Sequence, residues 1–390
     1  MKQGLLRLLV LRKLGYKGSR AARKRILFNL VLITLVVGAL VFAQIFVVSM
    51  SKGIADKYAL LGNGHLQVHE DSTRDLPEKD GVLDVQLVSQ SYALIYSPEG
   101  NKMVRLKGVE DGYFNELRTS QITLMDGIPK ESTTLEQVLL STTLADELQV
   151  GIGDRVALML VGDDGIRPQF CVVGNLYDSG YRELDANLAF CDYNLIHRLF
   201  KGSEETYHEL LVTQERIEPL KQEYQNDGFM VTSWDEENFT IATNLNTSRQ
   251  AVLGVMVAVA MLCGYFISEL SRELVEDDKH QIAMLTLLGA RHSLIRSVYF
   301  YTVMMVTILS MIGGTLLGIV MSSNLSPLLS AVADRSIPSL SYYLLDFSVV
   351  YPLGDILVIV LVLLLVSVVS VQFSLRRVKR IEPLSCTHFD

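Results

Sequence analysis

The chain has 390 residues, 49% of them apolar, and a formal net charge of −8. It is too long for one ordinary domain and too apolar for a purely soluble protein, so it reads as an integral membrane protein with one sizeable soluble part. Charge is unevenly spread: residues 1–25 hold nine Lys or Arg and no acid, whereas residues 51–248 hold 16 Lys or Arg against 33 Asp or Glu. The basic end belongs in the cytoplasm, and no nucleic-acid partner is expected.

Residues 1–25 open with GLLRLLVLRKL, where Leu5, Leu8 and Leu9 form an apolar face flanked by Arg7, Arg12 and Lys13, the pattern of an interfacial helix. The apolar run 26–50 is the first membrane span, since at ~1.5 Å per residue it exceeds a ~30 Å hydrocarbon core. It lacks a good small-residue cleavage site and is expected to stay as an anchor. Asn29 and Gln44 interrupt it; polar side chains at this depth face other helices or a cavity.

Residues 51–248 form the soluble part. Gly62-Asn63-Gly64 reads as a turn leading into His65-Leu66-Gln67-Val68-His69, whose alternation puts Leu66 and Val68 on one strand face and both histidines on a solvated one. Two histidines alone do not make a metal site, and none is expected. Strands are predicted at 92–97, 103–107, 155–160, 169–174 and 187–191, and helices at 141–149, 193–200 and 215–225, with Gly162 to Gly165 as a hairpin loop. The mixture predicts an α+β fold. Cys171 and Cys191 lie on predicted strands, Cys263 in a span and Cys386 in the tail; all four are expected to be free thiols.

A second span follows at 249–270, a loop at 271–297, a third span at 298–322, a short outer loop at 323–348 and a fourth span at 349–375, before a basic tail at 376–390 with Arg376, Arg377, Lys379 and Arg380. Gly313-Gly314 and Gly318 allow close helix approach, and Asp355 is placed at the interface or in a pair. Four spans with both basic ends cytoplasmic form a consistent topology. The architecture expected is therefore an α+β membrane protein with four transmembrane helices and a large α+β extracytoplasmic domain between the first two.

Within the loop between the second and third spans, residues 276–296 predict a helix: Ile282, Leu285 and Leu288 recur at helical spacing, Glu276, Asp277 and Asp278 suit its N-terminus, and Gly289 stops it. A short amphipathic helix here must lie on the membrane or dock into a partner, and its opening carboxylates favour a protein. Phosphate-loop, nucleophile-elbow, HExxH and paired CxxC motifs are all missing, so the chain has no P-loop with which to hydrolyse ATP.

QIAMLTLLGARHSLI, set between the second and third of four spans, resembles the coupling segment of the FtsX/MacB-type permeases, the mechanotransmitting (type VII) class of ABC transporter. LLSTTLADELQVGIGDRVALML, CVVGNLYDSGYRELDANLAF and the terminal RRVKRIEPLSC are similar to further segments of that class, and the unfused chain looks most like the LolC/LolE lipoprotein-releasing permeases. The resemblance implies a non-catalytic subunit in the bacterial inner membrane. Its partners would be a LolD-like ATPase dimer, which holds the ATP and Mg2+, and a second LolC/LolE-like permease or a second copy of this chain. It would lift lipoproteins from the outer leaflet for a LolA-like periplasmic carrier. Carried onto this sequence, Asp278, Gln281, Ile282, Leu285, Leu288 and Gly289 would meet the ATPase, with Ile282, Leu285 and Leu288 as buried anchors, and Phe46, Val47, Met50, Val252 and Val255 would line the lipid cavity. LolC-type chains carry an extended carrier-docking hook where this sequence has only VGDDGIRPQ, leaving Arg167 and Pro168 as contact residues. The alternatives are an amphiphile or peptide exporter of the same class, or a permease that signals to a periplasmic hydrolase.

Overall fold

The computed structural model describes residues 20–69, 76–120, 122–125, 135–162, 165–200, 204–324 and 348–376. The predicted N-terminal interfacial helix, most of the 323–348 loop, the tail beyond Arg376 with Cys386, and Asp163-Asp164 lie outside the described residues. The described residues divide into a helical unit, within 20–49, 246–324 and 349–376, and a sheet unit, within 50–245 plus residue 348.

The helices are α1 (Arg20–Lys57), α2 (Glu116–Thr119), α3 (Thr142–Leu148), α4 (Arg182–Asp185), α5 (Tyr193–Phe200), α6 (Ile217–Asn226), α7 (Trp234–Glu237), α8 (Phe239–Asp277), α9 (Lys279–Leu287), α10 (His292–Ser323) and α11 (Leu353–Ser374). Of these, α8, α10, α11 and α1 with its continuation are long and apolar enough to cross a membrane. Three of them, α1, α8 and α10, outrun their predicted spans. The 39 residues of α8 begin at Phe239 because its polar first turns contain no Pro or Gly to stop a helix.

Small residues set the packing in the helical unit. A Cβ added to Gly314 would lie 2.6 Å from the Val37 Cβ and 2.8 Å from the Thr34 carbonyl oxygen, and one added to Gly318 would lie 2.8 Å from the Val41 Cβ. The first and third spans therefore meet almost backbone to backbone, and the Ser310 hydroxyl donates to the Leu30 carbonyl across the seam at 3.2 Å. Gly264 receives Val366 and Ser370 in the same way, and the Ser374 hydroxyl donates to the Ser268 carbonyl at 3.0 Å. Gly314→Leu should lower the melting temperature of the detergent-solubilised chain by several degrees. Gly313→Ala, whose new methyl would sit 3.5 Å from Thr34, should not; equal melting of the two variants would contradict this packing.

The sheet unit holds ten strands: β1 (Leu66–His69), β2 (Val82–Tyr96), β3 (Asn101–Val109), β4 (Thr123–Leu124), β5 (Gln137–Ser141), β6 (Arg155–Gly162), β7 (Gly165–Asp178), β8 (Leu188–Asp192), β9 (Glu205–Val212) and β10 (Val231–Ser233). Their order is β10-β1-β9-β2-β3-β8-β5-β7-β4, with β6 pairing both β2 and β7. The 15-residue β2 makes the fork, pairing β9 through its first half and β6 through Ala93 to Tyr96. One core gathers Ala93, Ile95, Leu106, Leu140, Leu158 and Val173 under α3 and α5. The Ser141 hydroxyl caps α3 by accepting from the Leu144 N–H at 3.0 Å. All three expected helices are present as α3, α5 and α6, and so are the expected strands, whereas β4, β5, β9 and β10 were not foreseen.

Two sequence expectations are corrected. Gly62 and Asn63 do not form a turn: Tyr58–Asn63 winds on from α1 as a π-helix, and only Gly64 turns, at φ +74°. The histidine face of β1 is only partly solvated: Gln67 is buried, His65 and His69 are half-buried, and the His65 Nδ1 accepts from the Val212 N–H at 3.3 Å.

Asp185 is buried, its two carboxylate oxygens accepting from the Ser179 N–H at 3.4 and 3.3 Å, and burial raises its pKa to about 7. A carboxyl whose folded pKa is raised stabilises the fold fully below 3.8, its unfolded value, and loses that contribution as pH rises through about 7. Trp234, the sole tryptophan, packs against the sheet unit's aromatic core and reports its unfolding in the whole chain. Urea midpoints read by Trp234 should fall between pH 4 and pH 7 more steeply in the wild type than in Asp185→Asn. Parallel profiles would contradict the assignment.

Candidate functional site

Between α8 and α10 the backbone breaks twice. Asp278 leaves helical geometry at φ −101° and ψ 10°, and its carboxylate accepts from the Tyr299 hydroxyl of α10 at 2.8 Å. Glu276 and Asp277 thus close α8 instead of opening the next helix, a correction to the expected start at 276. At the other end Gly289 adopts φ +89°, its N–H donating to the Thr286 carbonyl at 3.0 Å while the Ala290 N–H donates to that of Leu285 at 2.9 Å. This is a Schellman closure, which needs glycine for its backbone angle alone, since a Cβ there would meet nothing within 4 Å.

The nine residues of α9 between these breaks have two faces. Ile282 is 1% exposed and packs into the helical unit's own core with Leu274, Val275, Ile295 and Tyr299, so it anchors α9 to this chain and does not face a partner as expected. Leu285 and Leu288 remain 46% and 79% exposed, and Met284 and Leu287, which the helical stripe passed over, extend the open apolar edge. Gln281 is exposed beside them.

The residues expected at the outer ends of the first two spans are less uniform. Phe46 and Val47 are half-buried on α1, Phe46 with its ring stacked 6.4 Å from that of Phe42. Val252 packs against the helical core and Val255 is exposed, while Met50 belongs to the sheet unit. In the helical unit the Gln44 amide donates to Asp355 Oδ2 at 2.8 Å and Arg249 donates to the same oxygen at 3.1 Å. The Val350 N–H donates to the Ser49 hydroxyl at 2.9 Å. Gln44 and Asp355 were legible singly; Arg249, their partner, was visible only as the charge preceding the second apolar run.

An ion cluster in the sheet unit escaped the sequence reading. Lys107 on β3 and Glu209 on β9 are fully buried and form an ion pair. The Lys107 ammonium also donates to the Leu61 and Gly62 carbonyls at 2.9 and 2.8 Å and to the Tyr113 hydroxyl at 2.8 Å. Arg118 donates to Glu209 Oε1 at 3.1 Å and to the Leu60 carbonyl at 3.1 Å, is paired with Asp84, and lies 4.1 Å over the Tyr113 ring. Two buried cations thereby satisfy the carbonyls that end the π-helical continuation of α1. Burial pushes the Lys107 pKa down to about 8 against the pull of Glu209. The Asn63 side-chain oxygen accepts from Arg105 at 3.0 Å and from Asn238, the residue before α8, at 3.1 Å.

Val161 to Gln169 is not the expected loop. Strands run to Gly162 and restart at Gly165, with which Gly162 pairs, and β6 passes its last pairing with β2 at Leu160 by two residues. Arg167 and Pro168 sit on β7, Pro168 exposed. The register places Pro168 opposite Met159 and Phe170 opposite Ala157, continuing through Leu94 and Tyr96 to Met103. Phe170, Tyr96 and Met103 are exposed, forming an apolar strip on this sheet face.

Among the described residues no group of three His, Cys, Asp or Glu could hold a metal. Cys171, Cys191 and Cys263 are buried free thiols, and burial raises Cys171 to about 12 and Cys191 well above the usual thiol value, leaving both unreactive.

Residues 253–383, which contain α9 and both breaks around it, match the FtsX-like permease C-terminal family. The chain is 24% identical over 270 residues to the lipoprotein-releasing system transmembrane protein LolC of Xylella fastidiosa strain 9a5c, covering 65% of each. It is 23% identical over 269 residues to LolC of Haemophilus influenzae, covering 65% of this chain and 64% of that one. The chain thus spans just under two thirds of the length of these relatives. The extracellular domain of the noncanonic ABC-type transporter YknZ from Gram-positive bacteria aligns with 40% of this chain and 82% of its own, at 14% identity and a TM-score of 0.28.

Proposed function

We propose that the chain is an ABC-transporter permease of the FtsX/LolC type, a non-catalytic membrane subunit that works with an ABC ATPase, and that it serves lipoprotein release. In this reading both termini are cytoplasmic and the sheet unit is periplasmic. A LolD-like ATPase dimer binds α9, a second permease subunit or a second copy completes the transporter, and acylated proteins are drawn from the outer leaflet and passed to a LolA-like carrier. The open apolar edge of α9 is the observation that carries the reading. Exposed leucines in a short loop between two spans, inside the matched region, are suited to a protein groove, and each is worth ~1.5–3 kcal/mol on full burial. Asp278, Gln281 and Gly289 would frame that contact and Ile282 would set its base.

Further support comes from the buried ion cluster, which grips the end of α1's continuation and is suited to receive its movement. Phe46, Val47, Met50, Val252 and Val255 would line the lipid path, and Arg167 and Pro168, beside the exposed strip, would meet the carrier. The names of the curated relatives favour lipoproteins as cargo over other amphiphiles.

Affinity purification of the tagged chain from its native membrane, with mass spectrometry of what accompanies it, tests this. A small P-loop ATPase together with acylated proteins is expected. An ATPase accompanied by a cell-wall hydrolase and no lipoprotein would move the assignment to transmembrane signalling.

A further inference from the structure

We propose that the cleft between α10 and α11, at the α9 end of the membrane helices, binds the phosphodiester headgroup of an anionic phospholipid. The cleft has a volume of about 490 Å³. His292 and Arg296, one helical turn apart on α10, line it with Ser293 and Tyr301, and α11 contributes Gln372. No carboxylate lines it. Among the described residues Arg296 and His292 have no acidic partner, whereas Arg272 pairs with Glu269 and Arg249 with Asp355. Arg376, four residues after Gln372 in sequence, lies 4.4 Å over the Phe373 ring. An arginine, a histidine, a serine hydroxyl and an amide are the donors a phosphodiester requires, and arginine is suited to hold it through two hydrogen bonds.

The surroundings distinguish a lipid from a soluble anion. From the cleft, α10 exposes Tyr301, Met305, Ile308, Ile312 and Leu316 along one face, and α11 exposes Leu365, Val369 and Phe373. These stripes begin beside the charged residues and run into the membrane, offering apolar tracks for two acyl chains below a headgroup. A free phosphate would use none of this surface. Basic clefts between spans on the cytoplasmic side meet the anionic leaflet there. Placement in that leaflet rests on the orientation in the proposed function; the chemistry of the cleft does not.

The test uses the full chain in nanodiscs of phosphatidylcholine, with or without phosphatidylglycerol, read by thermal unfolding and by native mass spectrometry of retained lipid. The wild type should melt several degrees higher with phosphatidylglycerol and carry it in preference to phosphatidylcholine. The double variant His292→Gln/Arg296→Gln should lose both effects, while Arg272→Gln, a neutralising change outside the cleft, should keep them. Millimolar inorganic phosphate in phosphatidylcholine nanodiscs should give no shift. The proposal is overturned if the wild type ignores phosphatidylglycerol, if the double variant retains the preference, or if phosphate alone reproduces the shift. The wild-type comparison stands even where a variant misfolds. ATPase recovery measured on the same samples reads the proposed function separately.

Discussion

Leu285→Asp is expected to abolish productive contact with the ATPase while leaving the chain inserted and folded. Leu285 is 46% exposed on α9 and takes no part in the helical core, so the substitution removes little from the isolated chain. In the complex the new carboxylate would be buried in an apolar groove, where an unpaired ion costs several kcal/mol. At about 1.4 kcal/mol per decade, affinity should fall at least a hundredfold. Ile282→Asp supplies the contrast: Ile282 is buried within this chain, so that variant should fail earlier, in folding or insertion. Normal ATPase recovery with Leu285→Asp at normal expression would remove α9 as the docking element.

The second large effect is expected at Glu209. Replacing it with Leu leaves Lys107 without its anion and Arg118 with Asp84 alone, inside a region from which water is excluded. Breaking a buried pair in this way costs about 3–5 kcal/mol, a large part of a domain's stability. Trp234 fluorescence in urea should show the sheet unit unfolding at a much lower denaturant concentration. The double variant Glu209→Leu/Lys107→Met should recover part of the loss, because it removes the stranded ammonium as well. It would still leave the Leu61 and Gly62 carbonyls without their donor. If Glu209→Leu alone melts like the wild type, the cluster does not hold the fold.

These two sites differ in how far sequence could reach them. The α9 segment was legible because its signals are local: helical spacing of Ile282, Leu285 and Leu288, and a glycine where the chain needs a positive φ. Spacing alone did not show which leucine faces inward, since that depends on α10 returning alongside with Ile295 and Tyr299. The acids at 276–278 misled because charge near a helix end suggests a boundary without fixing its residue; only Asp278, held by Tyr299, sits at the break. In the ion cluster Lys107 and Glu209 lie 102 positions apart, and Lys107 on β3 reads as solvent-facing until the π-helical turn covers that face. In β9, ETYHELLV, the buried Glu209 masks an apolar strand for the same reason. The Gly314 and Gly318 seam was legible as small residues, but its partner, the first span, came only from the packing.

The most direct measurement is ATP-dependent release of an acylated protein to a soluble acceptor, from proteoliposomes holding this chain, its co-purifying permease if one is found, and the ATPase. Release that requires ATP and is lost with Leu285→Asp is the predicted result. Release unaffected by Leu285→Asp, or ATP turnover by a complete complex without any release, would contradict the account.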